Sequence, residues 1–302
     1  MRTVYLGTSD FAVTVLGRLA RSEHKPALVV TRPDRPKGRG RKLQAPPVAE
    51  AASLLGLEVF QPESVNSEEA RERIALAEPD SVCICAFGAL IKEPLLSAHP
   101  MFNVHPSLLP RWRGAAPIER AIEAGDDETG VTIMRPIEEM DAGPICLQRA
   151  IEIRPDDDYG SLSRRLADLG GELLVEALDE QPEFRDQPGQ GVTIAHKIGP
   201  EDRHLDPERS AHELERRVRA LNPHIGTYVD LPGGERLAVL RAAAAVGTQV
   251  APGEVTASPD DRLLFGCAVG ALELLEVQPA GGRPMDAGAY LRGHAAKLGG
   301  GV

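Results

Sequence analysis

From residue 2 to residue 105, short β-type runs alternate with segments of helical period, and this alternation narrows the possible architectures most. Residues 2–7 read as a strand and 10–21 as an amphipathic helix. A strand at 27–31, a helix around 48–55 and a strand near 58–60 follow. Helix 67–77 leads to strand 81–86, a short helix near 93–97 and a strand ending at His105. Strands that alternate with helices pair in parallel, because parallel neighbours need a long crossover and the helix supplies it. The expected fold class is α/β, a Rossmann-like parallel sheet covered by helices on both faces. Ligands of such sheets bind beyond the carboxyl ends of the strands.

The later pattern is different. A helix over 115–124, strands at 131–135 and 144–153, and a long helix capped by Asp157 or Asp158 and reaching about Glu180 complete the first part. Residues 181–191, QPEFRDQPGQG, hold two prolines and two glycines among polar residues, as linkers do. Beyond Pro200 one helix, 210–221, precedes short β-type runs at 226–231, 236–243, 253–257, 263–266 and 271–278, the pattern of a small OB-like β-barrel. The chain is therefore expected to divide into a first domain over 1–181, a linker over 182–202 and a second domain over 203–302.

Composition excludes several classes. A hydrophobic share of 42% belongs to an ordinary soluble globular protein, and no apolar run reaches the length of a membrane span. With no signal peptide read before the first strand, a cytoplasmic protein is expected. The cysteines, Cys83, Cys85, Cys146 and Cys267, form no metal-ligand pattern, so no metal is expected. A net charge of −11 argues against wholesale binding of nucleic acid. A local basic site is another matter. Residues 32–42, RPDRPKGRGRK, carry six cations against the single anion Asp34. Such a concentration fits a polyanionic partner, although a charge run is also what a solvated loop looks like.

The chemistry concentrates in FNVHPSLLP, residues 102–110. Asn103 and His105 lie two positions apart at the end of a strand, so carboxamide and imidazole face one way. Asp141 follows in MDAGPI. An oxyanion donor, a proton shuttle and an acid that orients and charges the shuttle are the minimum for moving an acyl carbon between two nitrogens. Each also has a plainer reading. A single histidine is more often structural than catalytic, and MDAG alone is equally a β-turn. GTSDF, residues 7–11, lacks the G-x-G-x-x-G fingerprint, which argues against a dinucleotide. In SLLPRWRGAAPI, residues 107–118, two prolines hold the chain extended, and Arg111 and Arg113 flank the only tryptophan, Trp112. That segment is either an arginine–tryptophan stack or an extended surface for a flat heterocycle.

These segments together resemble the methionyl-tRNA formyltransferase family over nearly the whole length. The matching pieces are GTSDFA (7–12), TRPDRPKGRGRKLQAPPV (31–48), AFGALI (86–91), FNVHPSLLPRWRGAAPIERAI (102–122), ETGVTIM (128–134), MDAGPI (140–145), RALNP (219–223) and VQPAGGRPM (277–285). The resemblance implies a formyltransferase domain followed by an OB-like tRNA-binding domain. It also implies transfer of the formyl group of 10-formyltetrahydrofolate to the α-amino group of methionine on initiator methionyl-tRNA, through a tetrahedral intermediate. By it, Asn103, His105 and Asp141 are the catalytic triad. Phe87, Gly88, Ala89, Leu90, Ser107, Leu108, Leu109 and Pro110 contact the folate. Arg35, Lys37, Arg39, Arg41 and Lys42 belong to a basic loop that meets the tRNA, in a monomeric enzyme.

Three features depart from the family pattern. Pro106 follows the histidine where Gly or Ala is common, and His224-Ile225 replaces an aromatic–proline pair. Residues 203–302 hold 11 Lys+Arg and 12 Asp+Glu, a formal −1. Cationic attraction would then rest on Arg216, Arg217, Arg219 and Arg241 together with the loop. A formyltransferase acting on a small amine, a 10-formyltetrahydrofolate hydrolase and a non-catalytic tRNA-binding protein stay open as rivals. The loop's cations argue against the first, and the intact triad against the last. Arg39→Ala is expected to raise the KM for tRNA while leaving folate affinity unchanged, as steady-state kinetics with each substrate varied in turn would show; a defect confined to folate would contradict it.

Overall fold

The computed structural model of the chain describes residues 1–37, 42–245, 247–294 and 298. The first strands form where the apolar runs are densest. β1 (Thr3–Gly7) is buried throughout and leads to α1 (Asp10–Ala20), whose Ala12, Val15, Leu16 and Leu19 make one buried face. β2 (Pro26–Val30) follows, then the short β3 (Arg35–Lys37) and β4 (Lys42–Gln44), which pair antiparallel. The basic segment is therefore not irregular throughout, because its arms form a ladder of their own. After α2 (Pro47–Leu54) come β5 (Val59–Phe60), α3 (Glu68–Leu76), β6 (Ser81–Cys85), α4 (Leu95–Ala98) and β7 (Met101–His105).

β8 (Arg113–Gly114) and α5 (Pro117–Ala124) separate this run from β9 (Glu128–Met134) and β10 (Ile145–Glu152). The main sheet has the order β10-β9-β7-β6-β1-β2-β5. β7, β6, β1, β2 and β5 are parallel neighbours, but β9 runs antiparallel to both β7 and β10. The parallel sheet expected over residues 2–105 is present, and β9 adds antiparallel pairing at one end. Residues 135–144, between β9 and β10, contain no helix to carry a parallel crossover, so the chain folds straight back. The order reverses direction between β1 and β6, the topological switch point of the sheet, and β7 ends one strand away.

α6 (Tyr159–Glu180) begins at Asp158, whose Oδ1 accepts the Ser161 N–H at 2.7 Å. Gly170 on this helix lets it approach β7. A Cβ there would lie 2.8 Å from Cγ1 of Val104, the residue between Asn103 and His105. Residues 182–195, read as linker, contain β11 (Ile194–Ala195), parallel to β8, and a bridge from Arg185 to Ile145.

By contacts the chain forms two units. One comprises Met1–Pro117, Glu128–Glu152 and Ser163–Ala195; the other comprises Ile118–Asp127, Ile153–Leu162 and His196–Val302. In the second, α7 (Ala211–Leu221) packs on a barrel-like antiparallel sheet. Its strands are β12 (Thr227–Asp230), β13 (Arg236–Ala245), β14 (Val255–Ala257), β15 (Leu263–Gly266) and β16 (Ala271–Pro279), in the order β12-β13-β16-β15-β14. β17 (Met285–Asp286) pairs with β16 and leads into α8 (Ala287–His294). Register shifts around Arg241 mark a bulge on β13, which bends the strand and increases its twist.

Ser210 caps α7 with a complete capping box. Its hydroxyl accepts from the Glu213 N–H, and the Glu213 carboxylate accepts from the Ser210 N–H at 2.9 Å. Ser210→Ala is expected to destabilise the second unit by about 1 kcal/mol, measured as a lower denaturant midpoint with an unchanged slope.

Candidate active site

The site is assembled from the end of β7, the extended segment after it and the turn between β9 and β10. His105 is buried, and its Nε2 lies 2.9 Å from the Trp112 carbonyl oxygen. A carbonyl only accepts, so Nε2 carries the proton in that bond. In the neutral ring Nδ1 is then the free base, and it lies 3.7 Å from Oδ2 of Asp141. The tautomer is therefore set by a backbone oxygen. Asp141 faces the opposite nitrogen, where a positive charge appears once that nitrogen takes a proton.

Asp141 is itself held. Its Oδ2 accepts the Gly114 N–H at 2.9 Å, and its backbone adopts φ 53°, the left-handed region that Asp tolerates better than most residues. Trp112 also has a positive φ, 61°, which is a true outlier for so bulky a residue. Positive-φ conformations outside glycine cost on the order of 1–3 kcal/mol each and persist where the surroundings impose them. The imposing groups are visible. Trp112 N–H donates to Thr193 Oγ1 at 2.8 Å, and Arg113 N–H donates to the Thr193 carbonyl at 2.9 Å. The Arg111 guanidinium also stacks 4.4 Å over the Trp112 ring, as one of the two readings of that segment expected.

Asn103 is half-buried, and its Nδ2 approaches the Met134 sulfur at 3.4 Å. A thioether is a weak acceptor, so the amide keeps donor capacity for a stronger partner. Asn103 and His105 lie two residues apart on β7, Asp141 approaches the His105 ring, and all three belong to the first unit.

The residues expected to contact a folate separate into two sets. Ser107 is fully buried; its N–H, hydroxyl and carbonyl bond to His105 O, Arg111 O and Thr132 Oγ1. Leu109 is buried too, with its N–H on Thr132 Oγ1 and its carbonyl on Gln148 Nε2. These two brace the segment. Leu108 and Pro110 are half-buried. Phe87 packs in the sheet core, whereas Gly88, Ala89 and Leu90 are exposed. Their loop is pinned by Asn66, which donates to the Leu90 carbonyl at 2.9 Å and accepts the Lys92 N–H at 2.8 Å.

Of the basic-loop residues, Arg35 and Lys42 are exposed on the β3–β4 ladder and Lys37 lies on β3, while Arg39 and Arg41 lie outside the described residues. The arginine stripe expected on the second unit is largely engaged within that unit. Arg217 pairs with Glu123, Arg219 bonds Glu215 and the Asp157 carbonyl, and Arg216 donates to the Glu123 carbonyl. Arg241 is exposed.

Thiol chemistry is unsupported. Burial pushes the Cys83 and Cys85 thiols up to about 12, and Cys146 and Cys267 up to about 11, so all four are protonated at neutral pH. Among the described residues no group of three or more His, Cys, Asp or Glu side chains could hold a metal ion, and no helix is long and apolar enough to cross a membrane. The signals that sequence reading missed are Trp112 as a backbone acceptor, Gly114 as a backbone donor and the brace from Thr193.

Residues 1–178 match the family described as formyl transferase, and residues 197–295 match the formyl transferase C-terminal domain. A methionyl-tRNA formyltransferase of Methylococcus capsulatus is 45% identical over 308 residues, covering 98% of this chain and 97% of that protein. The one from Paramagnetospirillum magneticum is 43% identical over 302 residues, covering 98% and 97%. Among solved structures, HypX from Aquifex aeolicus in complex with tetrahydrofolic acid superposes with a TM-score of 0.66 at 20% identity, covering 98% of this chain and 48% of that one. At that identity the likeness is one of fold.

Gly114 has φ 118°, and a Cβ there would lie 2.7 Å from the Ala195 carbonyl oxygen. Gly114→Ala should therefore cost about 1–3 kcal/mol and move the N–H that holds Asp141. Denaturant unfolding together with turnover measured well below the transition checks both effects.

Proposed function

This chain belongs to the formyl transferase family, and from that premise we propose that it formylates the α-amino group of methionine carried by initiator tRNA, with 10-formyltetrahydrofolate as co-substrate. It is a one-carbon transferase, and its product serves translation initiation. The cytoplasm is the compartment where these substrates meet, and the enzyme works as a monomer.

The reaction joins the amine nitrogen to the formyl carbon and breaks that carbon's bond to N10 of the folate. One proton must leave the attacking nitrogen and one must reach the departing nitrogen. Asn103 directs an amide N–H at the oxygen that gains negative charge; removing such a donor costs about 10²–10³ in rate. His105 takes the proton on Nδ1, since Nε2 is committed to the Trp112 carbonyl, and returns it towards N10. Proton transfer of this kind is worth about 10²–10⁴. Asp141 lies beside Nδ1 and stabilises the imidazolium that forms between the two transfers. No covalent enzyme intermediate is needed, because one amine displaces another directly.

Leu108, Pro110 and residues 88–90 offer apolar and backbone surface to the folate, while Ser107, Leu109 and Phe87 hold that surface in shape. The cations of residues 32–42 meet the tRNA by counter-ion release and phosphate contact. The observation that carries this reading is the approach of His105 Nδ1 to Asp141 Oδ2, with the opposite ring nitrogen bonded to a carbonyl.

The direct test is incubation of the protein with 10-formyltetrahydrofolate and methionylated initiator tRNA, followed by a search for the added formyl mass. Free amino sugars and elongator tRNA serve as controls. Asn103→Ala is expected to lower kcat by about 10²–10³ with the protein folded, and Asp141→Asn is expected to lower it as well. Near-normal turnover in both variants would remove the assignment.

A further inference from the structure

Gln187 lies in the polar stretch after α6, which the sequence marks only as a connection, yet its carboxamide has four bonds at the site. Nε2 donates to the Asp141 carbonyl at 2.7 Å and to the Gly143 carbonyl at 2.7 Å. Oε1 accepts from Arg113 Nε at 3.0 Å and from Arg113 Nη2 at 2.8 Å. The amide has one workable orientation, because carbonyls only accept and a guanidinium only donates. Its two hydrogens grip the backbone on either side of Ala142, and so brace the turn Glu139–Ala142, in which Asp141 has φ 53°. Its oxygen is locked in turn by Arg113, which is largely buried with a side-chain exposure of 12% and also reaches Glu139 at 3.4 Å.

The same turn is tightened from within. Gly143 sits so close to the Arg135 carbonyl that a Cβ would overlap that oxygen. Arg113 is the neighbour of both Trp112, whose carbonyl accepts from His105, and Gly114, whose N–H donates to Asp141. Gln187 therefore joins the two backbone segments that hold the imidazole and the carboxylate.

We propose that Gln187 is a positioning residue that sets the Asp141 carboxylate against His105. The inference rests on the role given to Asp141 above. Gln187 touches neither substrate in this scheme, and acts through the turn alone. Loss of its two N–H donors lets the Asp141 turn relax from its left-handed conformation and move the carboxylate away from Nδ1. Misplacements of about 1 Å cost up to about 10²-fold in rate.

The test compares Gln187→Ala and Gln187→Glu with Asp141→Ala and with the Gln187→Ala/Asp141→Ala double variant, in formyl transfer to methionyl-tRNA. Gln187→Glu keeps an acceptor for Arg113 but presents no donor to the two carbonyls. Both Gln187 variants should lower kcat by about 10–100-fold, with each KM within about twofold of the parent. In the double variant, Gln187→Ala should add little to the loss from Asp141→Ala, because a residue acting through another has no effect once the other is gone. Normal kcat in Gln187→Glu, or independent multiplication of the two losses, would overturn the proposal. A fully active Asp141→Ala protein would instead remove the role of Asp141 itself. Should Gln187→Ala fail to fold, Gln187→Met keeps the side-chain volume and carries the same comparison.

Discussion

The bond from His105 Nε2 to the Trp112 carbonyl decides what the rest of the site can do. An imidazole has two nitrogens and one mobile proton, and tying one nitrogen to an obligate acceptor leaves the other as the base. Everything around this bond serves to keep that carbonyl in place. Thr193 holds the Trp112 N–H, Ser107 donates to the neighbouring Arg111 carbonyl, and Thr132 supports Ser107 from β9. The parallel sheet supplies a rigid strand end for the imidazole. The antiparallel end of the sheet supplies the turn that brings a carboxylate to it.

The first hundred residues are legible because their two periodicities are clean. The strands and helices up to His105 fall close to where apolar alternation and helical spacing put them, and the helix expected from Ser210 to Leu221 forms there. What stays hidden depends on dihedral angles and distant partners. Nothing in the letters MDAG reveals a φ of 53° at Asp141, and nothing in RWRG reveals 61° at Trp112. Phe87 lies buried against the sheet after a positive φ at Ala86, a placement its motif does not reveal. The stretch 181–191 has the composition of a linker and yet contributes Gln187 to a turn 46 positions earlier. Composition describes a segment's own preferences and is silent about what it can brace.

Charge is legible in sum and less so in place. The second unit's arginines look like a surface for a polyanion when counted along α7. In the fold, Arg217 and Arg219 are paired with Glu123 and Glu215, each of these four side chains being about one-fifth exposed or less. Partly buried pairs are screened less by salt than surface ones, so they act more as internal ties than as an electrostatic lure. Among the described residues of the basic segment, Arg35 and Lys42 are exposed on their small ladder.

The contact-defined units are discontinuous in sequence, the chain passing into the second unit and out again twice before His196 commits it there. Glu123, which meets Arg216 and Arg217, and the Asp157 carbonyl, which accepts from Arg219, come from those two early excursions. The C-terminal hundred residues are therefore no detachable cassette. A graft or truncation made at the apparent linker would strip Arg216 and Arg217 of Glu123 and leave Arg219 with Glu215 alone. Any recombination that exchanges this module between related proteins must carry the earlier segments with it.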